Sequence, residues 1–239
     1  MWNLLVMIND KNILIIGGSS GIGLALSELL APSNSVYIAS RSNENLNGLN
    51  INHIPFDATT EILDTSIIPE NLDGFVYCPG SINLRPFKGL SAEGFENDLQ
   101  INVIGAIKSL KSVLGQLSNS GNASVIFFST VAVQTGMPFH SSVAVSKGAI
   151  EGLTRSLAAE FAPKIRVNAI APSLVNTPLA SKFLNNETKI QKANERHPLG
   201  RIGSAKEIAE AATFLLGSES SWMTGRVLQL DGGIGNLKT

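Results

Sequence analysis

The stretch NILIIGGSSGIGLALSELLA (residues 12–31) joins a short apolar run to a helical segment through three spaced glycines, Gly17, Gly21 and Gly23. The run NILIIG is typical of a buried strand, and the segment that follows predicts a helix. A turn this tight requires residues without a Cβ, because the backbone must adopt positive φ and let a diphosphate approach it. A glycine trio alone is equally typical of a plain turn, but the strand before it and the helix after it favour a dinucleotide-binding turn.

The same alternation of strand and helix continues along the chain. Short, mostly apolar runs predict seven strands buried on both faces, at 12–17, 35–40, 51–56, 73–78, 123–129, 165–171 and 226–231. Helices are predicted between them, at 21–31, 91–117, 143–162 and 205–217. This alternation implies an α/β fold with a doubly wound parallel sheet and helices on both faces. No repeat or linker interrupts it, so residues 1–239 are predicted to form a single domain.

Composition narrows the classes of partner. The 18 Lys and Arg residues nearly balance 19 Asp and Glu without any basic block, which argues against a nucleic-acid or membrane-surface partner. No apolar run approaches the ~18 residues of a membrane span, so a soluble protein is expected. The opening MWNLLVM is short and lacks a basic start, and it predicts a tail or an early strand rather than a signal peptide.

Cysteine usage bears on the compartment. The one cysteine, Cys78, cannot form an internal disulfide, so a reducing, cytoplasmic location is expected. Cys78 itself is expected to be a small buried hydrophobe, with a reactive thiol as the alternative.

These segments resemble the short-chain dehydrogenase/reductase family. The G-x-x-x-G-x-G spacing of Gly17, Gly21 and Gly23 is that family's glycine motif. The similarity continues through LQINVIGAI (99–107), IRVNAIAPSLVNTPLA (165–180) and PLGRIGSAKEIAEAATFLLGSESSWMTGRVLQLDGG (198–233), and so covers nearly the whole chain. The resemblance implies a Rossmann fold with seven parallel strands, a nicotinamide cofactor and hydride transfer to or from a small substrate.

The end of the second predicted strand, ASRS (39–42), bears on the choice of cofactor. An acidic residue there would bind the ribose hydroxyls of NAD, whereas a cation pairs with the 2′-phosphate of NADP. The chain has Ser40 and Arg41, so NADP(H) is expected, with an Arg41 that merely solvates a loop as the alternative. The resemblance places Asp57 at the adenine amino group, a role compatible with a turn cap, and Val175 and Thr177 at the nicotinamide amide and phosphates. The expected cofactor-binding residues are Gly17, Ser19, Ser20, Gly21, Ile22, Gly23, Ser40, Arg41, Asp57, Gly80, Lys147, Val175 and Thr177.

The catalytic residues that the resemblance implies are only partly present. The family uses an Asn in a long helix, a Ser after the fifth strand, and a Tyr four residues before a Lys. Tyr donates a proton, while Lys lowers the pKa of that Tyr and binds the nicotinamide ribose. Asn102, Thr130 (with Ser129 beside it) and Lys147 match, but Val143 stands at the tyrosine position. A general acid is worth about 10²–10⁴ in rate, so ordinary carbonyl reduction requires another proton source.

The segment HSSVAVSK (140–147) offers such a source. If it is helical, His140, Val143 and Lys147 share one face. The family's enoyl reductases carry their tyrosine seven residues before the lysine, where His140 stands, so His140 is predicted to donate the proton; a helix cap or surface role is the alternative. The expected catalytic residues are Asn102, Thr130, His140 and Lys147, and no metal site is expected.

The remaining polar residues of these segments receive simpler interpretations. Ser141, Ser142 and Ser146 are interpreted as helix caps or filler. His53 and His197 are interpreted as loop residues without partners.

These expectations combine into an NADP(H)-dependent oxidoreductase that acts on a small carbonyl or an activated C=C bond. The alternative is a non-catalytic NADP(H)-binding sensor, or a partner subunit of an active relative. The helices at 91–117 and 143–162 carry apolar residues beyond one core-facing stripe, so a homotetramer or homodimer is expected, with LDGGIGNLKT (230–239) near a second interface. The polar stretch 178–198 is predicted to be a lid over the substrate.

Overall fold

A computed structural model describes residues 8–237, so the predicted tail or strand at MWNLLVM lies outside the described residues. One parallel sheet contains seven strands in the order β3-β2-β1-β4-β5-β6-β7. The strands are β1 Asn12–Ile16, β2 Ser35–Ser40, β3 Ile51–Pro55, β4 Gly74–Tyr77, β5 Ala123–Phe128, β6 Ile165–Pro172 and β7 Val227–Leu230. The predicted doubly wound parallel sheet is confirmed.

Both faces of the sheet are buried, as the continuous apolar runs predicted. Successive residues of a strand point to opposite faces, so Leu14 packs into one hydrophobic core and Ile15 into the other. Phe75 and Val76 divide between the same two cores. The sheet is therefore the middle layer of three, with helices packed on each side.

Eight α-helices surround the sheet within the described residues. They are α1 Gly21–Leu30, α2 Ala92–Leu99, α3 Gly105–Ser112, α4 Leu114–Ser120, α5 Ala132–Thr135, α6 Ser141–Phe161, α7 Glu187–Glu195 and α8 Ala205–Leu216. The helices α1 and α8 pack against one core, and α3 and α6 against the other.

The single helix predicted over 91–117 is wrong, because a π-helical turn, Gln100–Ile104, separates α2 from α3. The Tyr77 hydroxyl donates a hydrogen bond of 2.6 Å to the Ile101 carbonyl, the group that Gly105 N–H would bond in a regular α-helix. Gly105 N–H donates instead to the Gln100 carbonyl. A Cβ on Gly105 would lie only 2.3 Å from the Tyr77 hydroxyl, so the insertion requires glycine there.

The chain order of the strands reverses between β1 and β4, which are neighbours in the sheet. In open α/β sheets, ligands bind in such a crevice at the carboxyl ends of the strands. Between residues 8 and 237, no helix has both the length and the apolar character needed to cross a bilayer.

Candidate functional site

The β1–α1 turn has the geometry that the glycine spacing predicted. Gly17 and Gly21 adopt φ of 76° and 54°, in the left-handed region that favours glycine. A Cβ on Gly23 would lie 2.3 Å from the Gly17 carbonyl oxygen, which leaves no room for any side chain. Ser20 is extended and leads directly into α1, so the helix begins at the crevice. Backbone N–H groups at such an N-terminus form a natural anion site.

Two adjoining cavities follow the carboxyl edge of the sheet. The first, of about 440 Å³, is bordered by the β1–α1 turn and is called here the turn-side cavity. The second, of about 420 Å³, is bordered by α6 and α7 and is called the helix-side cavity. Both are lined by Ile22, Cys78, Gly80, Thr177 and Leu179, so they form one continuous groove.

All thirteen residues predicted to bind the cofactor line this groove. The turn-side cavity holds Gly17, Ser19, Ser20, Gly21, Ile22, Gly23, Ser40, Arg41, Asp57, Gly80 and Thr177. The helix-side cavity holds Lys147 and Val175, together with the predicted catalytic residues Thr130 and His140.

The ends of β2 and β3 shape the far end of the turn-side cavity. Ser40 is buried, and its hydroxyl lies 2.8 Å from the Ser42 carbonyl and 3.1 Å from His53 Nε2. His53 therefore lies in β3 with a partner, and its interpretation as an unpaired loop residue is wrong. Hydrogen bonds from Thr59 hold the pKa of Asp57 below its usual value, and the Arg41 charge acts in the same direction. Asp57 thus caps a turn while facing the groove beside an exposed Arg41.

Lys147 lines the helix-side cavity beside Gly80, which lines both cavities. The residue is only 9% exposed, and burial lowers its pKa to about 8, an effect that the Asp98 carboxylate partly opposes. A Cβ on Gly80 would lie 3.5 Å from Nζ, so the ammonium sits directly against the Gly80 backbone. Among residues 8–237, no protein group accepts a hydrogen bond from Lys147 Nζ, which leaves its donors available to a ligand.

Cys78 is half-buried; it lines both cavities and also packs against the hydrophobic core on the α1 side of the sheet. Desolvation raises the pKa of its thiol to about 12. Cys78 is therefore a neutral thiol near pH 7, as the hydrophobic interpretation expected, although its burial is incomplete.

Asn102, predicted as catalytic, does not line the groove. It is 1% exposed, and its Nδ2 donates to Ser81 Oγ (2.8 Å), the Asp98 carbonyl (2.9 Å) and Ser146 Oγ (3.2 Å). Its Oδ1 would lie 3.3 Å from a Cβ on Gly80. Asn102 therefore lies behind the wall that Gly80 forms, and its hydrogen bonds join Ser81, Asp98 and Ser146.

A buried carboxylate completes this network. Asp98 is 3% exposed, and it accepts hydrogen bonds from Ser81 Oγ at 2.5 Å and from Ser142 Oγ. Ser142 and Ser146 are thus network members rather than filler, since they join α6 to α2 beside Lys147. The sequence signal was the four-residue spacing in each pair, Asp98 with Asn102 and Ser142 with Ser146, which puts both members on one helix face.

The proton-donating groups of the helix-side cavity differ from those of a tyrosine site. Val143 lines the cavity at the tyrosine position. His140 precedes α6, and its Nδ1 lies 2.8 Å from the Pro138 carbonyl, so Nδ1 donates and Nε2 remains for a ligand. Ser129 Oγ donates to Glu151 Oε1 at 2.8 Å, which leaves Thr130 as the hydroxyl available to the cavity.

His197 was interpreted as an unpaired loop residue, and this is wrong. Its side chain is buried in the wall of the helix-side cavity. Nδ1 lies 2.7 Å from the Ala193 carbonyl at the end of α7, and Nε2 lies 2.9 Å from Ser173 Oγ after β6. No local sequence pattern predicts this contact, because Ser173 and His197 are distant in sequence and only the fold brings them together.

A parallel sheet with a glycine turn at the strand-order reversal and a groove along its carboxyl edge defines a Rossmann-type nucleotide-binding protein. A family model described as Enoyl-(Acyl carrier protein) reductase matches residues 57–235. The chain is 30% identical to a 2,5-dichloro-2,5-cyclohexadiene-1,4-diol dehydrogenase of Sphingobium indicum, over 95% of this chain and 97% of that protein. The chain therefore belongs to the short-chain dehydrogenase/reductase family.

Solved structures agree with this assignment. A short-chain type dehydrogenase/reductase from Mycobacterium ulcerans superposes with a TM-score of 0.86 at 28% identity, covering 95% of this chain and 90% of that one. The structure of ElxO with NADP bound superposes with a TM-score of 0.85 at 27% identity, covering 94% of this chain and 98% of that one. Homologues of this chain are thus oxidoreductases.

The buried charge of Lys147 should cost stability. Because burial lowers its pKa from 10.5 to about 8, Lys147→Met is expected to raise the free energy of unfolding at pH 7 by about 3 kcal/mol. Between pH 8 and 10.5 the unfolded chain binds more protons at this site than the folded protein does. The stability of the unmutated protein therefore rises with pH, and the advantage of methionine shrinks. Urea unfolding of both proteins at pH 7, 9 and 10 measures this.

The control is Lys206→Met, since the Lys206 side chain is 71% exposed and its pH profile should follow the unmutated protein. Equal stability of Lys147→Met and the unmutated protein at pH 7 would show that the ammonium is not desolvated as described.

Proposed function

We propose that the protein is an NADP(H)-dependent oxidoreductase that transfers hydride to or from a small carbonyl or an activated C=C bond. The observation that carries the proposal is the Lys147 side chain, which is largely buried and lines the helix-side cavity beside Gly80 without a protein hydrogen-bond partner for its ammonium. A buried unpaired charge is costly, and such groups concentrate at functional sites. The ElxO structure with NADP bound, on the same fold, also supports a nicotinamide cofactor.

The described residues fit the cofactor along the whole groove. The glycine turn leaves the space that a Cβ would fill, next to the N-terminus of α1 where a diphosphate is stabilised. Arg41 pairs with a 2′-phosphate at one end, and Lys147 donates to ribose hydroxyls at the other. NADPH, when bound, supplies the hydride.

His140 and Thr130 act on the substrate in the helix-side cavity. Because His140 Nδ1 is committed to the Pro138 carbonyl, only the imidazolium form carries a proton on Nε2 that it can give to the substrate. Thr130 donates a hydrogen bond to the oxygen on which negative charge develops. An activated C=C bond suits this arrangement better than a simple ketone does. The enolate oxygen that forms from it needs only a hydrogen-bond donor at the moment of hydride transfer.

The non-catalytic alternative rests on Val143, which has no proton to give. Two observations favour an enzyme. The groove continues past Lys147 into a cavity that His140 and Thr130 line, and the relatives are oxidoreductases. Protein that binds NADPH but oxidises it with none of a panel of ketones and enoyl thioesters would reverse this choice.

Arg41→Ala is expected to weaken NADPH binding by about 10- to 100-fold and to leave NADH binding unchanged. The lost interaction is a charge-assisted hydrogen bond to the 2′-phosphate, which NADH lacks. Fluorescence titration of both nucleotides measures the two affinities. Arg155→Ala is the control, because Arg155 is exposed and lies outside both cavities. Equal affinities of the unmutated protein for NADPH and NADH would contradict the assignment.

His140→Ala is expected to lower kcat by about 10²-fold or more while NADPH affinity is unchanged, because the substitution removes only the proton donor. Steady-state rates with an enoyl thioester and NADPH titrations of both proteins measure the two effects. Normal turnover by His140→Ala would assign the proton to another group.

The companion variant is Val143→Tyr, which places a phenol four residues before Lys147 and is expected to create ketone reductase activity.

The assembly expected from the helices stays a proposal: a homodimer or homotetramer that covers the outer faces of α3 and α6. Val145 on α6 is 51% exposed, and Ile104, in the π-helical turn just before α3, is 38% exposed. Several core-packed apolar residues of the two helices are only partly buried. Sedimentation at micromolar concentration should give a multiple of 25.3 kDa, and Val145→Glu should lower it by placing a charge in the interface.

The control is Ile62→Glu, because Ile62 is 90% exposed and lies outside these helices. A monomer in the unmutated protein would remove the proposal. The interface proposed near LDGGIGNLKT includes residues 238–239, which lie outside the described part.

A cytoplasmic location is proposed from the single cysteine, and secretion of the natural protein in cell fractionation would contradict it.

A further inference from the structure

The helix α7 presents cations to the helix-side cavity. Lys189, Lys192 and Arg196 all line it, and their spacing of three and four residues places them on one face of the helix. The acidic residues of α7, Glu187 and Glu195, do not line the cavity. The basic side of α7 is therefore the side that faces the substrate.

The cavity as a whole is strongly basic, although the chain is almost neutral. Within the described residues, its lining contains four Lys or Arg residues and no Asp or Glu. The full chain has 18 basic and 19 acidic residues, so the imbalance belongs to this cavity. A cleft lined by one sign of charge concentrates ligands of the opposite sign.

Two of these cations, Lys192 and Arg196, make neither an ion pair nor a side-chain hydrogen bond within the described residues. None of the ion pairs between residues 8 and 237 includes Lys192 or Arg196. Lys189 Nζ, by contrast, is held by the Lys182 carbonyl and by Asn185 Oδ1. Lys192 and Arg196 are thus exposed, uncompensated charges at the rim of the cavity.

Hydrogen bonds near the end of α7 join the helix to the rest of the protein. His197 joins the end of α7 to Ser173 after β6. Asn186 caps the helix by accepting from Lys189 N, and Asn194 Oδ1 accepts from Ile202 N at 3.0 Å.

The interior of the cavity beyond this rim is mainly apolar. Its lining includes Ile82, Leu84, Met137, Leu174, Phe183 and Ile234. A ligand that is complementary to both the apolar interior and the basic rim has an apolar body and one anionic end.

We infer that the substrate is an amphiphilic organic anion, whose carboxylate or phosphate is bound by Lys192 and Arg196 while its apolar body fills the helix-side cavity. Only the placement of its reacting end beside Lys147 and Thr130 rests on the proposed function. The cofactor phosphates do not account for these cations, because no residue of α7 lines the turn-side cavity.

Three unreactive probes of equal chain length test the inference: 1-octanol, octanoate and octyl phosphate. Calorimetric titration of the protein, alone and with NADP⁺, should show at least one anion binding about tenfold more tightly than octanol. This preference should shrink as NaCl is raised, because the cations are at the surface. The tighter anion identifies the head group.

The variant Lys192→Gln/Arg196→Gln should reduce the preference to less than about threefold and leave octanol and NADPH affinities unchanged. Lys164→Gln/Lys206→Gln removes two exposed lysines that do not line the cavity, and it is expected to keep the preference. The single variants Lys192→Gln and Arg196→Gln should each show a partial loss, which separates a charge effect from misfolding of the double variant.

Equal binding of octanol and both anions by the unmutated protein would overturn the inference. A double variant that loses NADPH affinity but keeps the anion preference would assign the cations to the cofactor and also overturn it. If the protein oxidises no NADPH with any substrate yet shows the preference and its loss in the double variant, the proposed function fails and the anion site stands.

Discussion

The fold depends on a backbone contact in the β1–α1 turn that excludes every side chain. Gly23 approaches the Gly17 carbonyl so closely that a Cβ would lie 2.3 Å from it. Ser27, one turn further along α1, donates to the Gly18 and Gly23 carbonyls and ties the helix to the turn. On the other side, Pro79 would lie 3.0 Å from a Cβ on Gly17, so the end of β4 is packed against the same turn. The floor of the groove and the start of α1 are therefore positioned together.

Buried polar groups lie around the floor of the groove, although apolar side chains in their place would make the folded protein more stable. Lys147 is desolvated without a protein acceptor, and Asp98 is buried between α2 and α6 with two hydroxyl donors. Buried charges of this kind are destabilising unless they are paired or bind a ligand. The Asp98 carboxylate accepts hydrogen bonds from Ser81 and Ser142, and the bond to Ser142 joins α2 to α6. Lys147 has no such partner among the described residues, and it lines the helix-side cavity.

Positive charge lies at both ends of the groove, and the two ends suit different ligands. Arg41 and the N-terminus of α1 supply positive potential at the turn-side cavity, where they suit the phosphates of a dinucleotide. The cations of α7 supply it at the helix-side cavity, around an apolar interior. Lys147 lies beside Gly80, which lines both cavities, and His140 and Thr130 line the helix-side cavity, where Val143 stands at the tyrosine position. In the proposed enzyme, the substrate anion and the cofactor phosphates would therefore bind to separate parts of one groove.

Local hydrophobic patterns predicted the seven strands, and the glycine spacing predicted the β1–α1 turn. The family resemblance, rather than a local pattern, indicated Lys147, Thr130 and Val143 as residues of one site. The packing of the chain placed Asn102 behind the wall that Gly80 forms, joined Asp98 to Ser142 and His197 to Ser173, and brought Tyr77 to the π-helical turn after α2. Each of these is a hydrogen bond between side chains or elements that are distant in sequence. Their partners are set by how helices pack on the sheet, and no local pattern contains that information.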